Sequence, residues 1–184
     1  ELAAELGLEH RQCSLDNPAV LDRALTGTRV LVNAAGPCVR TWQPLVEACI
    51  RCGVHYLDLA GEALVFEGIR SHNADARRRG IVLLPGVGFD VVPWDCLAAH
   101  LAAQLPDAHT LRIAISGPEL VSRGSAQTLV NMAGRPVFVR KEGRLVTVPP
   151  ASLERSFDFG DGPPPGVAVT WGDLASAFTT TGIP

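Results

Sequence analysis

The 184-residue sequence contains no apolar run that approaches the ~18 residues of a membrane-spanning helix. It also shows no charged segment followed by an apolar leader of the kind that marks secretion. Its five cysteines are odd in number and irregularly spaced, which argues against a disulfide framework. We therefore expect a cytoplasmic protein with reduced thiols and no transmembrane segment. The net charge of −3 gives no sign of a basic face, so no nucleic-acid partner is expected.

Several motifs that carry chemistry are absent as well. The sequence has no GxGxxG phosphate loop, no GxSxG nucleophile elbow and no HExxH zinc motif. The histidines lack metal-ligand spacing, and the CxxC at Cys49 and Cys52 falls inside a helical pattern without a second pair, so no metal site is predicted. The turn Asn33–Gly36 resembles that of short-chain reductases, but Tyr56, the single tyrosine, is followed four residues later by Ala60 instead of the lysine that such chemistry needs.

The composition that remains is that of a folded globular protein. Apolar residues make up 47% of the chain and charged residues 19%, which is outside the range of disordered chains. A chain of this length buries roughly 70% of its unfolded surface, so a substantial core is possible.

Strands and helices alternate from Arg29 onward. Short apolar runs that end at glycine, proline or acidic residues predict strands, and apolar residues spaced by three and four predict helices. Before this region, Asn17 and Pro18 predict the start of a short helix. The predicted strands are Val30–Ala35, Val54–Leu59 and Ile81–Leu84. The first of the three helices predicted after Arg29 has a buried face formed by Trp42, Leu45, Val46, Cys49 and Ile50, and the second spans Ala63–Arg79. The third begins at Pro93 and has a buried face formed by Trp94, Leu97, Ala98, Leu101 and Leu105.

This order predicts an α/β fold, a partial Rossmann-like doubly wound parallel sheet with its first strand buried on both faces. We place a partial dinucleotide-binding domain at 1–106 and a partial substrate or dimerisation domain at 107–184, with an α/β (α+β) mixed sheet. Because no buried strand precedes residue 29, the chain is interpreted as a fragment. For the second domain we predict a strand at 110–116, a helix at 125–133, a hairpin at 137–148, a loop at 160–166 and a helix at 173–178.

Three turns follow the predicted strands, and ligands of open parallel sheets bind beyond the carboxyl ends of the strands. The first turn, Asn33–Pro37, consists mainly of small residues that let a flat ligand approach the backbone. In the second, Tyr56–Glu62, the Asp58 carboxylate either orients a ligand hydroxyl or caps neighbouring backbone amides. In the third, Pro85–Pro93, two glycines precede Asp90, which is our preferred polar site residue.

The order and spacing of these three turns resemble those of the saccharopine dehydrogenase-like oxidoreductases, which include the trans-acting enoyl reductases. The resemblance is carried by Val32–Pro37, Pro44–Cys49, Gly53–Glu62 and Gly86–Asp95, and further along by Ser125 onward, Trp171–Leu174 and Thr181–Pro184. It covers about residues 30 to 184, and the combined spacing is more specific than any one motif.

The resemblance implies an NADP- or NAD-dependent oxidoreductase that transfers hydride to or from a small-molecule or lipid-linked substrate. The first turn would lie near the nicotinamide, and the loop Gly88-Phe89-Asp90 would face the substrate, with Asp90 as the candidate catalytic residue. The predicted cofactor-binding residues are Asn33, Ala34, Ala35, Gly36, Pro37, Asp58, Ala60 and Gly61.

The chain departs from this family in three ways. The glycine-rich loop that holds the pyrophosphate is missing, Cys38 stands where the family has an aromatic residue, and Trp42 replaces a common glycine. We therefore expect this chain to be inactive on its own, and the alternative is a non-catalytic binding or scaffold module. An uncovered sheet edge and apolar patch would also favour a homo-oligomer.

Overall fold

The computed structural model describes residues 2–89, 91–116, 126, 130, 136–160, 162 and 165–184. The parallel sheet predicted from the sequence is present, and the fold is of the α/β class. The elements up to residue 104 are α1 (Leu2–Glu5), α2 (Pro18–Ala24), β1 (Val30–Asn33), α3 (Cys38–Cys52), β2 (His55–Asp58), α4 (Ala63–Ser71), α5 (Asn73–Arg79), β3 (Leu83–Leu84) and α6 (Val92–Gln104).

Strands β1, β2 and β3 form the sheet in that order, and both pairings are parallel. The register pairs Asn33 with Asp58 and Tyr56 with Leu83, so alternate residues of neighbouring strands share one face. That face carries the buried residues and is packed by α3, whose Leu45, Val46 and Cys49 are buried as predicted. The helix start at Asn17 is confirmed too, since its side chain accepts a hydrogen bond from the Val20 amide.

The opposite face of the sheet is open, and the expectation that β1 is buried on both faces is wrong. Val30 and Val32 are 46% and 58% exposed, and Leu84 on β3 is 48% exposed. A continuous apolar run in a short strand shows only that both faces tolerate apolar residues. It does not show that an element covers each face.

Two helix predictions also need correction. The helix predicted over Ala63–Arg79 is divided at His72 into α4 and α5. On α6 only Ala98 of the five predicted residues is buried, and Leu97 and Leu101 are exposed. Apolar residues on α6 lie around much of the helix, so periodicity could not identify the packed side.

The second half contains antiparallel pairs and a final helix: β4 (Val137–Lys141), β5 (Arg144–Val148), β6 (Glu154–Ser156), β7 (Pro165–Val167) and α7 (Asp173–Thr181). The β4–β5 hairpin is confirmed, with its turn at Glu142 and Gly143. Residues 110–116, predicted as a strand, have no regular secondary structure. The predicted loop at 160–166 leads into β7, and the predicted helix at 125–133 lies largely outside the described residues.

Helix α7 packs against α4 and α6, which joins the end of the chain to the first half. A partly buried ion pair between β4 and α4 adds a second connection, with the Arg140 Nη2 to Glu67 Oε1 distance at 3.0 Å. The Arg140 guanidinium also lies 4.3 Å from the centre of the Phe178 ring. The domain boundary near 106 stays a prediction. In the part of the chain that the structure describes, no helix is long and apolar enough to cross a membrane.

Candidate functional site

The turns that follow β1, β2 and β3 lie along one edge of the sheet. Parallel pairing brings the carboxyl ends of neighbouring strands together, and the Asn33–Asp58 pair marks this edge for β1 and β2. The third turn reaches the same edge, since the Val87 amide donates to the Asp58 carbonyl oxygen at 2.8 Å. We call this edge, with turns 34–37, 59–62 and 85–89, the strand-end rim.

The first turn presents an open backbone surface. Ala34, Ala35, Gly36 and Pro37 are all exposed, and the Gly36–Pro37 peptide bond is cis. A Cβ atom added to Gly36 would meet nothing within 4 Å, so free space lies next to this backbone. A flat ring can therefore approach the turn without displacing protein atoms.

Behind this surface lies a buried polar network on β1 and β2. Asn33 is 3% exposed, and its side-chain amide donates to Thr41 Oγ1 at 2.9 Å and to the Tyr56 hydroxyl oxygen at 3.2 Å. The Tyr56 hydroxyl in turn donates to Asp58 Oδ2 at 2.9 Å. The Thr41 hydroxyl donates to the Ala35 carbonyl oxygen at 2.9 Å. Every side chain of this network thus has a partner, as buried polar groups require.

Asp58 caps backbone amides, which is one of the two roles that the sequence left open. Its Oδ1 accepts from the Ala60 amide at 2.9 Å and from the Gly86 amide at 2.8 Å, and its side chain is 0% exposed. Asp58 therefore acts on the second and third turns from beneath. Because Asp58 is buried beneath these turns, it can affect a bound ligand only by fixing the shape of the turns.

Burial dominates the titration behaviour of the two groups next to Asp58. Burial raises the pKa of the Tyr56 phenol far above its usual value, the Asp58 charge raises it further, and the hydrogen bond from Asn33 opposes both. Burial likewise raises the pKa of the Cys38 thiol to about 11, with the charges of Asp58 and Glu62 adding to the shift. Both groups are therefore neutral at physiological pH, and the Cys38 thiol is a poor nucleophile.

The second turn is covered by a segment from the other half of the chain. Ala60 is 1% exposed, so its contribution to the rim is structural. The Gly61 amide donates to the Glu62 carboxylate at 3.0 Å, and the Gly61 carbonyl oxygen accepts from the Gly172 amide at 2.8 Å. A side chain at position 172 would displace its neighbours, because a Cβ on Gly172 would lie 2.8 Å from Phe66.

The third turn forms a small cleft beside the second. The cleft encloses about 200 Å³ and is lined by Leu59, Ala60, Gly86, Gly88, Phe89 and Val91. This is below the ~300–1,000 Å³ of ordinary ligand pockets, so it suits a single ring or small group. Phe89 is 75% exposed and meets the Trp94 ring edge-on at 5.7 Å. Asp90, the predicted catalytic residue, lies outside the described residues.

Sequence reasoning assigned no role in the site to three residues that contribute to the rim: Thr41, Tyr56 and Gly172. The signal for Tyr56 was its position two residues before Asp58, which places both side chains on one face of β2. Thr41 lies in the first turn of a helix that begins behind β1. For Gly172 no local signal exists, because the contact depends on how the end of the chain folds back.

A larger cavity of about 840 Å³ lies in the second half of the chain. It is lined mainly by apolar side chains, among them Phe157, Phe178 and Trp171. Trp171 precedes Gly172, which is hydrogen-bonded to Gly61, so the cavity borders the second turn of the rim. In the described residues no cluster of three metal-binding side chains is present.

Comparison with known proteins shows which proteins the chain is similar to. The family profile for the saccharopine dehydrogenase NADP-binding domain matches residues 1–84, which include β1, β2 and β3. The chain is 31% identical over 84 residues to a saccharopine dehydrogenase-like oxidoreductase of Mus musculus, a match that covers 45% of this chain and 20% of that protein. It is 30% identical over 131 residues to a trans-acting enoyl reductase of Mycobacterium leprae (strain TN), covering 71% of this chain and 30% of that protein.

The fold is similar to that of apo saccharopine dehydrogenase (L-Glu forming) from Saccharomyces cerevisiae. The TM-score is 0.58 with 14% sequence identity, and the similarity covers 87% of this chain and 39% of the yeast chain. At that identity the likeness concerns the fold alone. The chain spans between a fifth and a third of the length of the two curated relatives described above.

Proposed function

Because the chain belongs, through residues 1–84, to the saccharopine dehydrogenase NADP-binding domain family of oxidoreductases, we propose that its strand-end rim binds the nicotinamide half of NADP(H). The observation that carries this proposal is the open first turn. Four consecutive exposed residues, from Ala34 to Pro37, lie at the carboxyl end of β1 next to free space.

The residues present fit such a ring. Small side chains leave the backbone of the first turn accessible. The side-chain oxygen of the buried Asn33 holds that turn by accepting a hydrogen bond from the Ala35 backbone amide at 3.1 Å. When bound, the nicotinamide would supply the hydride that an oxidoreductase of this class transfers. Among this chain's residues, Gly88 and Phe89 would face the substrate, and Asp90 remains our proposed catalytic residue.

The apolar part of the substrate would occupy the cavity of about 840 Å³. Its volume falls within the range of ligand pockets, and its lining is mainly apolar. The small cleft by Phe89 would then hold only the reacting group. The substrate would be a small molecule or a lipid-linked compound, and assays with both classes distinguish the two. We also propose a cytoplasmic location, although an Arabidopsis thaliana relative carries a mitochondrial name.

The experiment is a titration of the purified chain with NADPH, followed by nicotinamide fluorescence and calorimetry. The test variant is Ala35→Leu, which places a bulky side chain on the exposed turn without altering the core. We expect the variant to bind NADPH at least about tenfold more weakly than the wild type, equivalent to ~1.4 kcal/mol. Ala74→Leu on α5 is the matched control, because Ala74 is also exposed but lies outside the three turns.

Two results would contradict the proposal. Equal NADPH affinity for Ala35→Leu and the wild type would show that the cofactor binds elsewhere. A folded wild-type chain that binds no NADPH would favour the alternative, a non-catalytic module that retains the fold.

We also propose that the chain forms homo-oligomers through the open face of the sheet. Val30, Val32 and Leu84 place exposed apolar surface on that face, and sedimentation velocity should show association that increases with concentration. The variant Val32→Thr should weaken this association. A monomer at all concentrations would rule it out.

A further inference from the structure

We propose that Tyr56 is a positioning residue whose hydroxyl couples the first turn of the rim to the second and third, so that the three turns hold their shape as one unit. The coupling of the three turns does not depend on the proposed function. Only the identity of the ligand, NADPH, rests on it. The sequence analysis included Tyr56 in the second turn but gave it no role, and it is the single tyrosine of the chain.

The hydrogen bonds around Tyr56 have one possible direction. A carboxylate can only accept, so the Tyr56 hydroxyl donates to Asp58 Oδ2 and its oxygen is left to accept from the Asn33 amide. The amide of Asn33 is oriented by this bond and by its second donation, to Thr41 Oγ1. The orientation then leaves Asn33 Oδ1 facing the Ala35 amide.

Each turn is anchored by one backbone amide on this network. The Ala35 amide donates to Asn33, and the amides of Ala60 and Gly86 donate to the same Asp58 oxygen. Among the described residues, the Tyr56 hydroxyl is the side-chain link between these two groups of anchors. Without it the network separates into a part that holds the first turn and a part that holds the other two.

Loss of the hydroxyl also leaves buried groups unsatisfied. Asn33 and Asp58 are 3% and 0% exposed, so water has little access to the amide hydrogen and the carboxylate oxygen that would lose their partner. Buried groups in this state favour conformations in which they reach solvent. Those conformations open the turns, and we expect them to be populated at least about tenfold more in Tyr56→Phe.

Amide hydrogen exchange of the full chain, measured by NMR, tests the coupling directly. In Tyr56→Phe the exchange rates of the Ala35, Ala60 and Gly86 amides should all rise at least about tenfold. The matched control is Thr41→Val, which removes the other partner of Asn33 and the hydroxyl that donates to the Ala35 carbonyl oxygen. Both bonds belong to the first turn, so this variant should raise the rate at Ala35 alone. If Tyr56→Phe leaves Ala35, or both Ala60 and Gly86, at the wild-type rate, the coupling is absent.

A measurement on the wild-type chain keeps the proposal testable if the variant fails to fold. At low urea concentrations the three amides should exchange through one shared opening, with the same dependence of exchange on urea. Three different dependences would show that the turns open independently and would overturn the proposal.

The ligand readout separates this inference from the proposed function. Tyr56→Phe should weaken NADPH binding at least about tenfold, whereas Leu21→Ala, which creates a cavity in the core beneath α2, should lower stability and leave NADPH affinity unchanged. If the wild-type chain binds no NADPH, the proposed function fails while the exchange experiment still decides the coupling. If NADPH binds equally well to Tyr56→Phe and the wild type, the positioning role is refuted.

Discussion

Gly86 is the position where a single methyl group should do the most damage to the rim. Its φ is +70°, a left-handed conformation that costs a residue with a Cβ about 1–2 kcal/mol. A Cβ would also lie 2.3 Å from Phe66 Cζ and 3.2 Å from the Ala60 carbonyl oxygen. Phe66 has little room to move away, because it is only 7% exposed and its Cε2 atom lies 2.8 Å from the position that a Cβ on Gly172 would take. Overpacking of this kind costs a further ~1–3 kcal/mol.

For Gly86→Ala we therefore expect the free energy of unfolding to fall by about 2–5 kcal/mol. With a urea slope of ~2 kcal/mol/M, the unfolding midpoint should fall by about 1–2.5 M. Gly80→Ala is the matched control, since Gly80 has a φ of +66° but a Cβ there would meet nothing within 4 Å. That variant should lose only the conformational part, about 1–2 kcal/mol.

The comparison between the two alanine variants isolates the contact with Phe66. Urea denaturation followed by circular dichroism measures both, and the double variant Gly86→Ala/Phe66→Leu should be less destabilised than the sum of its parts. If Gly86→Ala and Gly80→Ala lose the same stability, the third turn is not packed as described. NADPH affinity of the folded fraction should also fall for Gly86→Ala and stay unchanged for Gly80→Ala.

Three further predictions follow from titratable groups. Burial tends to raise the pKa of Glu67, but hydrogen bonds from Arg70 and Arg140 outweigh burial and hold that pKa below its usual value. The ionised Glu67 carboxylate therefore stabilises the fold above the unfolded pKa of about 4.3, and this stabilisation is lost as the pH falls through the folded pKa. Glu67→Gln should flatten the acid side of a plot of unfolding free energy against pH, and an unchanged slope would contradict the assignment. Tyr56, the single tyrosine, should give no phenolate absorbance in alkali until the chain unfolds, and ionisation of the folded chain near pH 10 would show that the phenol is not buried. Burial raises the pKa of the Cys49 thiol to about 12, so a thiol reagent should label the three exposed cysteines of the native chain and reach Cys49 and its buried counterpart only in denaturant.

The local pattern of the sequence was enough to predict the parallel sheet and the rim. Short apolar runs that end in small or acidic residues predict strands, and parallel strands always bring their carboxyl ends to one edge. The turns at Asn33 and Asp58 could therefore be located from spacing alone. The packed face of α3 could be predicted for the same reason, because its apolar residues repeat with the period of a helix.

Only the tertiary structure decided what those residues contact. The sequence left two roles open for Asp58. The hydrogen bonds that it accepts from the amides of Ala60 and Gly86 show that it caps backbone amides, and these bonds depend on the register of the strands. The contact between Gly172 and Gly61 joins residues more than a hundred positions apart. Secondary structure depends on neighbours along the chain, whereas burial and partner choice depend on neighbours in space. For that reason the open face of β1 and the central place of Tyr56 emerged only from the fold.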